Sequence, residues 1–323
     1  MTSALVFDRD HVDEVEDWSS TLGRLGRRSI LWLDVDKPDR AKAEELAEGL
    51  DLENETSRRL VANDGREPYL GDFGRYLHVT AFAPSDESLS PELVKVECLV
   101  SKQWVVTIHE RPIEALDAFA ERASGSSGDI GRLDGLEFVA NMLEWVLGGY
   151  LGAFARIEHE LDEFDARAME NTFESADDEL ERLVELRRAA GRLRRALVAH
   201  RPLLLALTRP ELEGITDSDH SERFSALRDK LEEAVQAARD CRDSVVVSFE
   251  VVVARTGQRT NEIMKVLTLA SVLLLPGALI AGIMGMNFKL GMFEQNAYFW
   301  VVICLMLAVA AVTLVLAKRR RWI

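Results

Sequence analysis

Residues 264–287 read Met-Lys-Val-Leu-Thr-Leu-Ala-Ser-Val-Leu-Leu-Leu-Pro-Gly-Ala-Leu-Ile-Ala-Gly-Ile-Met-Gly-Met-Asn. Residues 266–286 carry no charge, a run of about 21 residues and long enough for a helix to cross a bilayer. Within it Ser271, Ala278 and Gly282 share one helical face with Met264, Leu267 and Leu275, at spacings of three and four. That face ends in Gly285, Met286 and Asn287. A plain anchor has no use for a small, polar face closed by a carboxamide. The pattern implies a helix that lines something.

His159-Glu160 lacks the second histidine of a helical zinc motif, and no phosphate loop, glycine-rich dinucleotide turn or GxSxG elbow occurs. Without a catalytic constellation the expectation is a protein that is not an enzyme and uses no catalytic cofactor. Cys98, Cys241 and Cys304 are isolated, which indicates neither a disulfide framework nor a zinc cluster and points to a cytosolic soluble part. The formal net charge is −16 over 323 residues, yet residues 318–323 are Lys-Arg-Arg-Arg-Trp-Ile. Acid therefore sits in the soluble portion and base beside the membrane. Such a chain repels nucleic acid and suits small cations, although acidic charge also serves solubility alone. Residues 1–20 hold six carboxylates and no apolar run, so no signal peptide is expected.

The elements that would position the apolar run come next. Residues 4–7, 30–35, 75–83, 93–101 and 103–109 have the composition of strands. Residues 39–49 and 52–62 suit helices, the first capped by Asp39 and ended by Gly49. Lys95 and Glu97 alternate with apolar positions, which implies either a solvated face or cover by helices. Together, residues 1–124 are expected to form a cytosolic α/β domain, a mixed sheet with helices on both sides. A Ser/Gly loop at 124–128 opens a helical part over 125–218. There residues 158–181 are acid-rich, and Leu183, Leu186, Ala190, Leu193 and Leu197 form a heptad-like seam flanked by Arg187, Arg188, Arg192, Arg194 and Arg195. Two antiparallel helices pairing these charges are expected, in preference to a metal-binding acidic patch.

Pro202 and Pro210 mark the next turn. From Ser221 to Asn287 no proline intervenes before Pro276. Residues 245–253 have strand propensity, but helical patterning on both sides favours one continuous helix of about 67 residues, on the order of 100 Å. Its stalk, residues 219–265, needs partners to cover its apolar sides, which implies an oligomer. Residues 266–287 are the first span, 288–296 an outer loop with Lys289 and Glu294, 297–317 a second uncharged span and 318–323 a basic tail. Arg255, Arg259 and Lys265 before the first span and Lys318 to Arg321 after the second put both termini on the cytoplasmic side of a cell (inner) membrane.

Gly285-Met286-Asn287 closing a first span, a short outer loop, a second span and a basic tail resemble the CorA family of divalent-cation channels, with the zinc-transporting ZntB branch a close relative. Residues 260–268 (Thr-Asn-Glu-Ile-Met-Lys-Val-Leu-Thr), Ala281-Gly282-Ile283, Trp32-Leu33-Asp34-Val35, Glu67-Pro68-Tyr69 and residues 105–110 extend the likeness over nearly the whole chain. The resemblance implies a funnel-shaped homopentamer in the bilayer, each first span lining a central pore. Hydrated Mg2+ would meet a ring of neutral oxygens from Asn287 and the Gly285 backbone, with Met286 in the same filter; an Asn that merely caps the helix is the other reading. Met264, Leu267 and Leu275 would close the pore by dewetting, or pack helices together. Ser271, Ala278, Gly282 and, two heptads before Met264, Glu250 would line it. Lys318, Arg319, Arg320 and Arg321 would form a cytosolic collar or a lipid anchor.

The chain also departs from the family. Met284 replaces the usual Tyr, Ala278 falls where relatives place a Thr ring, and the loop carries Lys289, which would repel cations unless Glu294 pairs with it. The family's two regulatory acids fall at Leu60 and Ala226; Asp229, one turn along, is the substitute residue for a regulatory metal. The expectation is a channel for Mg2+, with Co2+ or Ni2+ as secondary ions. Zinc transport of the ZntB kind, with or without proton coupling, and a non-conducting anchored scaffold or sensor are the alternatives.

Overall fold

Two aspartates set the first helices of the chain. The computed structural model describes residues 2–7, 12–26, 29–36, 39–62, 67–86, 88–109, 111, 135–170, 176–208, 220–286 and 296–319. Asp17 accepts from the backbone of Ser19 and Ser20 to start α1 (Trp18–Leu22), and Asp39 accepts from the Lys42 N–H at 2.7 Å to start α2 (Arg40–Gly49). Gly49 is the last residue of α2, and Leu50 follows as its cap. What demands glycine there is packing rather than termination, since a Cβ would lie 2.4 Å from the Trp18 ring. A third helix, α3 (Asn54–Ala62), completes this layer.

The strands are β1 (Thr2–Phe7), β2 (Val12–Glu14), β3 (Ile30–Asp36), β4 (Tyr69–Asp72), β5 (Leu77–Pro84), β6 (Leu93–Val100) and β7 (Trp104–His109). They form one sheet in the order β2-β1-β3-β7-β6-β5-β4. Only β3 and β7 run parallel, so the sheet is mixed, as expected. Both edges, β2 and β4, escape the sequence patterns because they are short and only partly buried. Leu31, Leu33, Val35, Leu99, Val106 and Ile108 share one face and pack with Trp18, Leu46 and Leu50 of the α1–α2 region. On the opposite face Trp32 meets Phe138 edge-on at 5.0 Å.

Phe138 belongs to α4 (Gly135–Glu170), which is followed by α5 (Ala176–Ala199), α6 (Arg201–Leu207), α7 (Ser221–Met284) and α8 (Asn296–Arg319). By length and composition α4, α7 and α8 could each cross a membrane, one more than the two expected. Burial separates them: 56% of the apolar window of α4 is buried, against 0% and 6% for α7 and α8. The apolar surface of α4 is core surface, facing the sheet. Tyr150 of α4 donates to the Phe82 carbonyl at 2.9 Å, and the Phe82 N–H donates to Nε2 of His200 at 3.0 Å. His200 in turn donates from Nδ1 to the Ala196 carbonyl at 2.8 Å. Two side chains thus satisfy the outward side of a β5 position that pairs with Lys95 of β6 on its other side and lies beyond the end of β4.

The seam residues of α5 are buried. The charge pairing expected between α4 and α5 is only partly present. Arg182 meets Glu160 at 2.5 Å, and Arg167 lies within 4 Å of Glu160, Glu163 and Glu179. Arg187, Arg188, Arg194 and Arg195 have no carboxylate partner among the described residues, and Arg192 bonds only to the Ser90 hydroxyl. Register is the reason. Counting back from the Arg182–Glu160 pair, antiparallel helices set residues 187–195 level with residues 147–155, where no carboxylate occurs.

At its start α7 is tied to α4: Arg223 bonds Asn141 at 2.7 Å and Glu144 at 2.6 Å, and Lys230 reaches Glu144 at 3.1 Å. The helix stays continuous through 245–253 despite the valines and measures about 96 Å at 1.5 Å per residue. It ends at Met284 rather than at the expected Asn287. The chain divides into two compact units after Phe249, so α7 belongs to both. The loop at 124–128 and Pro210 lie outside the described residues.

Candidate functional site

The second unit holds the apolar half of α7 and the whole of α8. In α7, Leu269, Leu273, Pro276, Gly277 and Ile280 are half-buried at spacings that put them on one side of the helix. A Cβ on Gly277 would sit 3.2 Å from the Met306 methyl of α8, so this side meets the second helix. Met264, Leu267 and Leu275 lie about 80–160° round the helix from Gly277 and are unpartnered in the single chain. Among the described residues they are 60%, 66% and 67% exposed. Ala278 and Gly282 share that exposed side, and nothing lies within 4 Å of a Cβ built on Gly282.

The hydroxyls in this stretch are turned onto their own helix. Thr268 donates to the Met264 carbonyl at 2.7 Å and Ser271 to the Leu267 carbonyl at 2.9 Å. With its hydrogen committed, the Ser271 oxygen offers lone pairs alone, the arrangement a hydrated cation's water can use. Pro276 lacks an N–H, so the Val272 carbonyl loses its helical donor. Beyond the helix the Gly285 N–H reaches the Ala281 carbonyl at 2.9 Å and the Met286 N–H the Ile283 carbonyl at 3.2 Å. Gly285 makes this turn without a left-handed backbone; among the described residues Gly74 is the glycine that adopts one. Asn287, Lys289, Glu294, Arg320 and Arg321 lie outside the described residues. Lys318 and Arg319 form the exposed last turn of α8, where cations complement the helix dipole. Glu250 is exposed.

The positions considered for a regulatory metal are not brought together. Leu60 packs against the apolar core beneath α2, and Ala226 is exposed. The Asp229 side chain is 76% exposed and lies 3.6 Å from Arg228. Among the described residues no cluster of three or more His, Cys, Asp or Glu side chains could hold a metal ion.

Two polar clusters in the sheet were not anticipated. Glu97, expected on an alternating polar row, is buried beside His78 at 2.6 Å, Thr80 at 2.7 Å and Lys95 at 2.5 Å. Burial opposes its ionisation, but His78 and Lys95 outweigh that and bring its pKa down to about 2. Asp34 accepts from the Thr107 hydroxyl and lies 3.3 Å from Nε2 of His109. Burial lowers the His109 pKa, but Asp34 and the Arg111 carbonyl leave it raised overall. Neither cluster was visible in the sequence, because each is assembled by cross-strand register rather than by spacing along the chain.

A sheet covered on both faces, a long helix running into an apolar segment and a second apolar helix define an α/β protein with two helices fit to cross a bilayer. The same fold, over almost full length, is that of the complete CorA magnesium transporter from Methanocaldococcus jannaschii, with TM-score 0.81, 19% identity and coverage of 99% of this chain and 98% of that one. The ZntB cytoplasmic domain from Vibrio parahaemolyticus matches with TM-score 0.59 and 13% identity, over 79% of this chain and 98% of that one. The cobalt/magnesium transport protein CorA of Thermotoga maritima is 23% identical over 235 residues, which span 72% of this chain and 65% of that relative. The family model described as CorA-like Mg2+ transporter protein matches residues 27–319. The chain belongs to that family.

Proposed function

We propose that the chain assembles as a funnel-shaped homopentamer in the inner membrane, both termini cytoplasmic, and conducts hydrated divalent cations, Mg2+ first and Co2+ or Ni2+ second. Residues 266–287 and 297–317 are the spans. The observation that carries this reading is the exposed side of α7: Met264, Leu267, Leu275 and Gly282 turn away from the α8-facing side, on a helix that leads into Gly285-Met286-Asn287. Family membership supports it. A ring of Asn287 oxygens would select the ion with its water shell intact, since Mg2+ dehydrates reluctantly. Rings of Met264, Leu267 and Leu275 would gate by dewetting. Ser271 and Ala278 line the path between, Glu250 draws cations to its inner mouth, and Lys318 to Arg321 form the collar. Lys289 of the outer loop would repel cations unless Glu294 pairs with it.

Zinc transport of the ZntB kind is the second reading. It is favoured by Leu60 and Ala226, which offer no carboxylate for magnesium control, and by the likeness to a ZntB cytoplasmic domain. Uptake of Mg2+ and Zn2+ into liposomes by the purified protein and by Asn287→Ala separates the readings. Magnesium uptake abolished or strongly reduced in the variant is expected. Zinc uptake alone would favour the second reading, and no uptake of either ion would leave a non-conducting scaffold.

A further inference from the structure

The arginines of α5 are a dense run of positive charge with no carboxylate partner among the described residues. Arg187, Arg188, Arg192, Arg194 and Arg195 put five guanidinium groups within nine residues of a chain whose net charge is −16. All but the half-buried Arg194 are exposed. No carboxylate among the described residues neutralises them, and the stretch of α4 level with them is uncharged. Arg188, Arg192 and Arg195 follow one another at spacings of four and three, on one side of the helix over about 10 Å.

Beside them lies a groove of about 510 Å³ between α5 and the β5–β6 hairpin. Leu89, Leu186 and Ala189 give it an apolar floor, and Ser90 in its wall accepts from Arg192. Asp178, Glu181 and Glu185 line it further toward the start of α5, together with Arg182, whose guanidinium is paired with Glu160. Its volume is in the range of small-ligand sites, roughly 300–1,000 Å³. The groove itself is carboxylate-lined at one end and apolar beyond it, and it meets the arginine face at Ser90, which Arg192 touches.

We propose that this groove and the arginine face beside it bind a nucleoside polyphosphate. The phosphates sit on Arg188, Arg192 and Arg195, whose planar forks match phosphate oxygens in pairs. The nucleoside covers Leu89, Leu186 and Ala189, and its hydroxyls or amino group donate to Glu181 and Glu185. The carboxylate end argues against a uniformly anionic partner. An acidic peptide or an anionic bilayer long enough to cover the arginines would meet Glu181 and Glu185 with like charge, whereas a nucleotide carries its negative charge at one end only.

The test is calorimetric titration of ATP into the full-length protein in detergent micelles, with chelator present so that no divalent cation contributes. Binding that weakens as salt is raised is expected. The triple variant Arg188→Ala/Arg192→Ala/Arg195→Ala, all surface positions and checked for an unchanged gel-filtration profile, should lose at least about tenfold in affinity, as removal of charge-assisted bonds predicts. Glu181→Gln/Glu185→Gln replaces two carboxylate acceptors by weaker amide ones and should narrow the preference for ATP over inorganic triphosphate, and an unchanged preference would overturn the contacts given to these side chains. No binding at millimolar ATP, or equal binding by the triple variant, overturns the proposal. Inorganic triphosphate binding as tightly as ATP would overturn the place given to the nucleoside.

Discussion

Acid should loosen the first unit through His200, and the size of the effect follows from its surroundings. The ring is 2% exposed, accepts the Phe82 N–H at Nε2 and donates from Nδ1 to Ala196. A proton on Nε2 would destroy the first of these bonds and place a charge where water does not reach. Burial accordingly pushes the His200 pKa from 6.5 down to about 4. Between these values the unfolded chain binds the proton and the folded chain does not, so stability is lost as pH falls. At 1.36 kcal/mol per pH unit the loss reaches about 2 kcal/mol by pH 5 and about 3 kcal/mol by pH 4, and above pH 7 the contribution is flat. The perturbation is His200→Asn, which cannot titrate. At neutral pH the variant should be destabilised by about 1–3 kcal/mol, the range for a buried donor left without its partner. Between pH 7 and 4 it should then lose about 3 kcal/mol less than the wild type, because every other titrating group is common to both. Urea unfolding followed by tryptophan fluorescence across that range measures the difference, and hydrogen exchange at the Phe82 amide localises it. Parallel pH profiles for the two proteins would refute the reasoning.

Two further outcomes are expected. Glu97→Ala leaves the buried His78 and the half-buried Lys95 without their carboxylate and should destabilise the fold by about 3 kcal/mol in thermal or urea unfolding; because the Glu97 pKa is depressed, the wild-type advantage is present above about pH 4.5 and fades as pH falls toward 2. Leu267→Ser replaces an apolar ring with hydroxyls and should raise liposomal Mg2+ uptake several-fold by wetting the constriction; unchanged or reduced uptake would count against gating at this level.

The fold was legible where periodicity and burial coincide. The central strands read directly from their apolar runs, and α7 reads as one helix because its flanking pattern outweighs the strand propensity of 245–253. The edge strands β2 and β4 were missed because a short strand that is only partly buried leaves no pattern. Charge was the least legible quantity. Arg187 to Arg195 and the acids of α4 look complementary as lists, but an antiparallel register fixed by Arg182 and Glu160 slides them past each other. Lys95 and Glu97 look like a solvated row until β5 supplies His78 and Thr80 across the strand. Of the candidate site, the division of α7 into an α8-facing side and an exposed side was contained in the three-and-four spacing. The Asn287 end of that face lies beyond the described residues, so its role rests on the motif.

Pro276 gives α7 a mechanical character. Within the second unit the helix runs unbroken past Met264, Leu267 and Leu275, so these three residues keep their angular relation to one another. At Pro276 the ladder lacks a rung, and Gly277 beside it has no side chain to stiffen the joint. Ala278 and Gly282 lie past this universal joint and can hold their orientation while the helix below them rotates. A rotation of the helix before Pro276 would thus be felt in full by Met264, Leu267 and Leu275 and only in part by the turn at Gly285.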